Sequence, residues 1–157
     1  MKTLLLTIGK GHQKELTPVI SEYQNRLGNY AQFDACNIPA LKNTRNLSVN
    51  EVCDKESLML LKHIRETDYL VLLDEKGNSF SSIKFAKRIQ SWMLLGRKRL
   101  VFVIGGAYGF SENLYNRSNE LLSLSKMTFT HQMVRLFFLE QLYRGYTILN
   151  NEPYHHS

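Results

Sequence analysis

The chain has 157 residues, enough for one ordinary domain and too few for two comfortable ones, and its 43% hydrophobic and 22% charged residues describe a globular protein rather than a disordered or fibrous one. Twenty Lys and Arg stand against 14 Asp and Glu, a net charge of +6 carried unevenly: residues 1–75 hold 9 basic and 10 acidic side chains, residues 76–157 hold 11 and 4. No apolar run reaches the ~18–20 residues of a membrane-spanning helix, and the opening segment, which lacks a small-residue cleavage site, reads as a strand rather than a leader. The one-sided basic excess suits a polyanion such as nucleic acid, and equally a surface kept soluble. Cys36 and Cys53 have a spacing that matches no zinc or redox motif. Free thiols in a reducing compartment are the simplest account, so a cytoplasmic protein is expected.

Leu4–Ile8 is a short apolar run ending at Gly9, as in a buried strand. Leu16, Val19, Ile20, Tyr23 and Leu27 follow at helical spacing and predict one apolar stripe. Phe33–Ile38 reads as a second strand closed by Pro39, Leu41–Asn50 as an exposed loop, and Glu51–Glu66 as a helix with Ser48 or Asn50 as its cap. The apolar run Tyr69–Leu73 predicts a buried strand stopped by Asp74-Glu75-Lys76-Gly77-Asn78. A helix over Ser82–Leu95 is expected to turn Ile83, Ala86, Ile89 and Met93 inward, with Lys84, Lys87, Arg88 and Ser91 on the other side. Leu100–Ile104 is the next strand, followed by a helix near Ser111–Glu120, a short apolar segment at Leu121–Leu124 and a long helix over His131–Leu149. Strands apolar on both faces, alternating with helices, predict an α/β fold with a parallel sheet flanked by helices, in a single domain spanning 1–157. In the last helix only Arg135 is polar between Met133 and Leu139. Such a segment needs apolar neighbours on more than one side, from a second subunit or from a central position in its own chain.

Ligands of open parallel sheets bind beyond the carboxyl ends of the strands, which here are Leu73–Gly77, Gly105–Phe110 and Ser123–Thr128. The glycine turn lacks the dinucleotide order G-x-G-x-x-G, and no phosphate-binding loop of the G-x-x-x-x-G-K-[ST] type is present. Adjacent glycines do permit close approach of backbone groups to a flat ligand, although an ordinary tight turn has the same composition. Asp74 and Glu75 are neighbours on a strand and point oppositely, so they do not read as an acid–base pair. The run Lys84, Lys87, Arg88, Arg97, Lys98, Arg99 contains no acidic residue, as expected of a phosphate-contacting face or of a solvated helix surface. Tyr154, His155 and His156 crowd a phenol and two imidazoles into the tail, chemistry suited to stacking on a base and moving a proton. No Cys or carboxylate partner has ligand spacing to that pair of histidines, so no metal is expected. His12 and His63 read as surface or half-buried residues, and His131 as a cap, a buried polar group or a functional one.

Four blocks in order, Phe102–Gly109, Leu122–Arg135, Glu140–Arg144 and Asn151–His155, together with Leu6–Lys10, strongly resemble the ribosomal RNA large subunit methyltransferase H family of the SPOUT class. The resemblance covers essentially the whole chain. It implies a C-terminal trefoil knot, a threading that general topology disfavours. It further implies a homodimer that uses S-adenosyl-L-methionine to methylate N3 of a pseudouridine in helix 69 of 23S rRNA on assembled ribosomes. Carried over by position, the cofactor site is Leu73, Gly105, Leu124, Ser125, Lys126, Met127, Thr128 and Phe129, acting largely through backbone groups. His155, Tyr154 and Arg144 become the catalytic candidates, and Arg135, Lys84, Lys87 and Arg88 the RNA-binding ones. Many relatives carry a proline beside the histidine at position 131, where this chain has Thr130 and Gln132.

Overall fold

The computed structural model describes residues 1–9 and 14–155; His12 and His156 lie outside that range. Ten principal elements alternate along the chain: β1 (Lys2–Ile8), α1 (Thr17–Leu27), β2 (Gln32–Ile38), α2 (Val49–Leu61), β3 (Tyr69–Ser79), α3 (Ser82–Leu94), β4 (Arg99–Ile104), α4 (Glu112–Arg117), β5 (Glu120–Ser123) and α5 (His131–Leu149). The five strands form one parallel sheet in the order β2-β1-β4-β3-β5. Each inner strand is apolar on both faces because both are covered. Leu5, Val71 and Phe102 pack with α1, α3 and α5, whereas Leu4, Leu6, Leu70, Leu72, Val101 and Val103 pack on the opposite face with Leu60 of α2 and Leu114 of α4.

Helix starts follow local hydrogen-bond chemistry. Ser48 caps α2 in a reciprocal capping box: its hydroxyl accepts from the Glu51 N–H at 3.2 Å, and its own N–H donates to the Glu51 carboxylate at 2.7 Å. Ser81, Ser111 and Thr130 cap α3, α4 and α5 one-sidedly, each hydroxyl accepting from one backbone N–H of the first turn.

Three expectations change. The strand at Tyr69 does not stop at Asp74. Leu73 pairs with Leu122, the chain then bulges through residues 74–77, and Asn78 returns to pair with the same Leu122. Gly77 permits the return: a Cβ there would lie 2.5 Å from the Leu121 carbonyl carbon, so only glycine fits against the β5 backbone. In α3 the buried residues are Phe85, Ala86, Ile89 and Trp92, while Ile83 and Met93 are 45% and 48% exposed. The stripe is rotated because the two aromatics bury more area than the aliphatics they displace. In α1, Ile20 and Leu27 are buried but Val19 faces outward.

α5 packs against both α1 and α3 over the sheet, so much of its all-round apolar character is satisfied within one chain. Gly145 is the crossing point, where a Cβ would lie 2.3 Å from Ile89 Cδ1. Phe137 remains 39% exposed, its ring 5.0 Å from that of the equally exposed Phe129, with Met127 (76% exposed) nearby in sequence. None of the described helices is long and apolar enough to cross a membrane.

Candidate active site

Sheet register brings the site together. Leu73 pairs with Ile104 on one side and with Leu122 on the other, so the residues beyond these three strand ends open onto one space. That space is a cavity of about 640 Å³, within the range of small-molecule sites. Leu73, Gly105, Leu124, Ser125, Met127, Thr128 and Phe129 all line it. Lys126 does not; its ammonium donates to the Glu75 carbonyl at 3.4 Å, tying the 124–130 loop to the bulge of β3.

The glycine turn is shaped by what lies behind it. A Cβ on Gly105 would meet the Phe110 ring at 2.8 Å, and one on Gly106 would meet Glu56 Oε2 at 2.1 Å. α2 braces the turn from outside the cavity: the Cys53 thiol donates to the Tyr108 carbonyl at 3.3 Å and the Ser57 hydroxyl accepts from the Ser111 N–H at 3.0 Å. Burial pushes the Glu56 carboxyl up. The turn can therefore present bare backbone to a ligand, with Ile104, Leu122 and Val134 as apolar walls.

Several further lining residues were not assigned to the site from sequence, among them Asp74, Tyr115, Val134 and His131. Asp74 directly follows Leu73, and that adjacency to a strand end was the available signal. Its Oδ2 accepts from the Tyr115 hydroxyl and its Oδ1 from the Lys76 N–H at 2.8 Å. Burial and the neighbouring Asp74 raise the Tyr115 phenol, which stays protonated. His131 opens α5 and lies mostly inside the protein. Burial and the nearby Arg135 charge lower its pKa to about 4, so the ring is neutral at pH 7. Its Nε2 accepts from Arg135 Nη2 at 2.6 Å, and the ring also hydrogen-bonds the Ile8 backbone. The ring lies against Gly9, where a Cβ would approach it to 2.9 Å.

The tail candidates cluster elsewhere. Arg144 forms an ion pair with Glu140 and lies 4.8 Å above the Tyr154 ring, and its Nη1 approaches His155 Nδ1 at 3.5 Å. The Tyr154 hydroxyl donates to Glu140 at 3.3 Å and lies 3.1 Å from that of Tyr23; burial and these contacts push its pKa up. Tyr30 donates to Glu152 at 2.6 Å. The tail is thus anchored between α1 and the C-terminal half of α5. Arg144 follows His131 by thirteen residues, about 20 Å along a helix. Within one chain the three tail residues and the cavity do not meet.

The basic candidates divide. Lys84 and Lys87 are exposed on α3. Arg88 instead grips Glu120 with two nitrogens, in company with the Trp92 indole N–H at 2.9 Å. Arg135 is 1% exposed and engages His131, so its guanidinium serves the interior rather than a phosphate. Both read as surface residues in sequence because a charged side chain normally is one. Among the described residues no group of three His, Cys, Asp or Glu is placed to hold a metal.

A parallel sheet with a glycine turn and a cavity beyond its strand ends is a frame that binds small molecules, and comparison with known proteins gives the class. The family model described as predicted SPOUT methyltransferase matches residues 1–155, and the chain belongs to that family. Among curated relatives, it is 54% identical over 156 residues to a protein of Christiangramia forsetii, covering 99% of each chain. It is 53% and 52% identical over 157 residues, covering all of each chain, to proteins of Flavobacterium johnsoniae and Parabacteroides distasonis. All three relatives bear the name ribosomal RNA large subunit methyltransferase H.

Proposed function

We propose that this methyltransferase uses S-adenosyl-L-methionine to methylate N3 of a pseudouridine in helix 69 of 23S rRNA, acting as a cytoplasmic homodimer on assembled ribosomes. The observation that carries the reading is the cavity at the paired ends of β3, β4 and β5. Its volume, its glycine backbone and its mixture of apolar walls with one fixed carboxylate fit a nucleoside bearing a charged tail. When bound, that cofactor supplies a methyl group on a positively charged sulfur, which keeps the bonding electron pair as the methyl passes to the nitrogen.

The residues of this chain do the rest. Leu73, Gly105 and the 124–129 loop hold the nucleoside, and Phe129 and Val134 exclude water from it. A base must take the N3 proton, and His155 is the group assigned to it. Tyr154 stacks on the base: burial and its Tyr23 contact push its pKa up, so the phenol keeps its own proton at neutral pH and offers no phenolate to take another. Arg144 holds a phosphate or the negative charge on the deprotonated ring. Since Arg144, beside which Tyr154 and His155 sit, is ten residues or about 15 Å along α5 from Val134, the last cavity-lining residue of that helix, the tail serves the cavity of a second copy. The exposed apolar pair Phe129 and Phe137 beside the cavity is the surface that copy covers. Lys84 and Lys87, with Arg97 and Lys98 further along, contact RNA phosphates. Arg135 and Arg88 support the fold beneath that surface.

The test is calorimetry with S-adenosylmethionine followed by methyl transfer to ribosomes lacking the modification, beside naked rRNA. Stoichiometric binding and transfer to intact ribosomes is expected. Absence of both would leave a ribosome-binding protein without catalysis, and transfer independent of RNA would indicate a small-molecule substrate. Removing residues 153–157 should abolish transfer while cofactor binding persists.

A further inference from the structure

We propose that Asp74 is the specificity-determining residue of the cavity: a fixed carboxylate that favours a positively charged sulfonium ligand over its neutral thioether counterpart. The inference rests on the cofactor reading above and adds a charge selection to it.

Asp74 is the first residue of the bulge in β3, at the level where Leu73 pairs with both Ile104 and Leu122, and it forms part of the cavity wall. Both of its oxygens are oriented. Oδ1 accepts from the Lys76 N–H at 2.8 Å and Oδ2 from the Tyr115 hydroxyl. Tyr115 is itself held, packing edge-on at 5.7 Å against Phe110, the ring that backs Gly105. The two donors satisfy the carboxylate without neutralising it, and among the described residues Asp74 enters no ion pair. The result is a half-buried negative charge whose position is set by the wall rather than by a flexible side chain.

The other titratable groups of the wall do not cancel it. Glu75 and Lys76 are exposed, opposite in sign and screened by water. His131 is neutral. Glu56 lies behind Gly106 and outside the cavity lining, and the Cys53 thiol is pushed up by burial and so uncharged. The substrate form of the cofactor carries a positive sulfur and the product form, S-adenosylhomocysteine, a neutral one. A carboxylate in the wall of a partly desolvated site attracts the charged sulfur and not the neutral one, an effect worth about tenfold or more in affinity. Such discrimination favours loading over product retention.

The experiment is isothermal calorimetry of the full-length protein with S-adenosylmethionine and S-adenosylhomocysteine. In Asp74→Asn, which keeps the shape, the first ligand should weaken by about tenfold and the second by less than about threefold. Asp74→Glu, which keeps the charge, should retain the preference. Tyr115→Phe, which leaves the carboxylate one donor short, should change the ratio little. Equal weakening of both ligands in Asp74→Asn, or no change in either, overturns the proposal. Should Asp74→Asn not fold, loss of the preference in Asp74→Glu overturns it and retention supports it. Failure of the unmodified protein to bind either ligand overturns the cofactor reading itself, whereas tight binding of both without preference overturns only the role of Asp74.

Discussion

The 19-residue helix α5 holds His131 at the cavity and Arg144 beside the tail, and that separation has a decisive genetic consequence. Consider one chain damaged at the cavity by Thr128→Trp, which fills the space from an exposed loop position, and another damaged in the tail by His155→Ala. Each variant alone should lose methylation by about a hundredfold or more, the cost of blocking a site or removing a proton acceptor. The arrangement about 20 Å apart along one helix predicts that each working site takes its cavity from one chain and its tail from the other. A mixed dimer, isolated through two different affinity tags, then has one intact site and one doubly damaged site. It should recover about half of the unmodified activity per dimer. The reciprocal pairing, both substitutions on one chain with an unmodified partner, damages each site once and should be inactive. Methyl transfer to ribosomes measures both. If the split pair is dead and the doubly substituted pair half active, the tail serves its own chain and the reasoning is refuted.

Glu120→Ala should cost about 2–3 kcal/mol, because it strands Arg88 and the Trp92 indole N–H around a vacated site whose carboxylate is only 8% exposed. Urea titration followed through Trp92, the one tryptophan, reports it, and a loss below about 1 kcal/mol contradicts the assignment. His131 titrates near 4 when folded and near 6.5 when unfolded, so the unfolded chain binds more protons between those values. Its stabilising effect is complete above about pH 6.5 and lost as the pH falls through about 4, up to roughly 3 kcal/mol. His131→Gln should flatten that part of the stability profile, and an unchanged acid slope would count against it. Replacing Lys84 and Lys87 together by alanine should weaken ribosome binding and reduce the salt dependence of log K by about two. An unaltered slope would remove α3 from the RNA surface.

Much of this architecture was legible in the sequence, and the exceptions share a cause. The runs Tyr69–Leu73 and Leu100–Ile104 announce buried strands because both faces are apolar, and α5 begins and ends where its apolar pattern does. Most of the proposed cofactor residues line one cavity because strand-end position is a local property that register then aligns. What was hidden depends on partners distant in the chain. Asp74–Gly77 has the composition of a turn, and only the β5 backbone, more than forty residues on, draws Asn78 back into the sheet. Arg88 reads as a phosphate contact until Glu120 is placed beside it, and Arg135 until α5 turns it inward against His131. The tail's packing against Tyr23 and Tyr30 joins residues over a hundred positions apart, which no periodicity reveals.

The bulge of β3 begins and ends on the same neighbour, Leu122. Its four residues are therefore clamped at both ends by the β5 ladder, outside which residues 74–77 lie. Much of the remaining wall is apolar, from Ile104, Leu122, Leu124, Met127, Phe129 and Val134. Evolution, or an engineer, can thus retune which ligand the pocket admits by rewriting three positions, with the scaffold that holds them left alone.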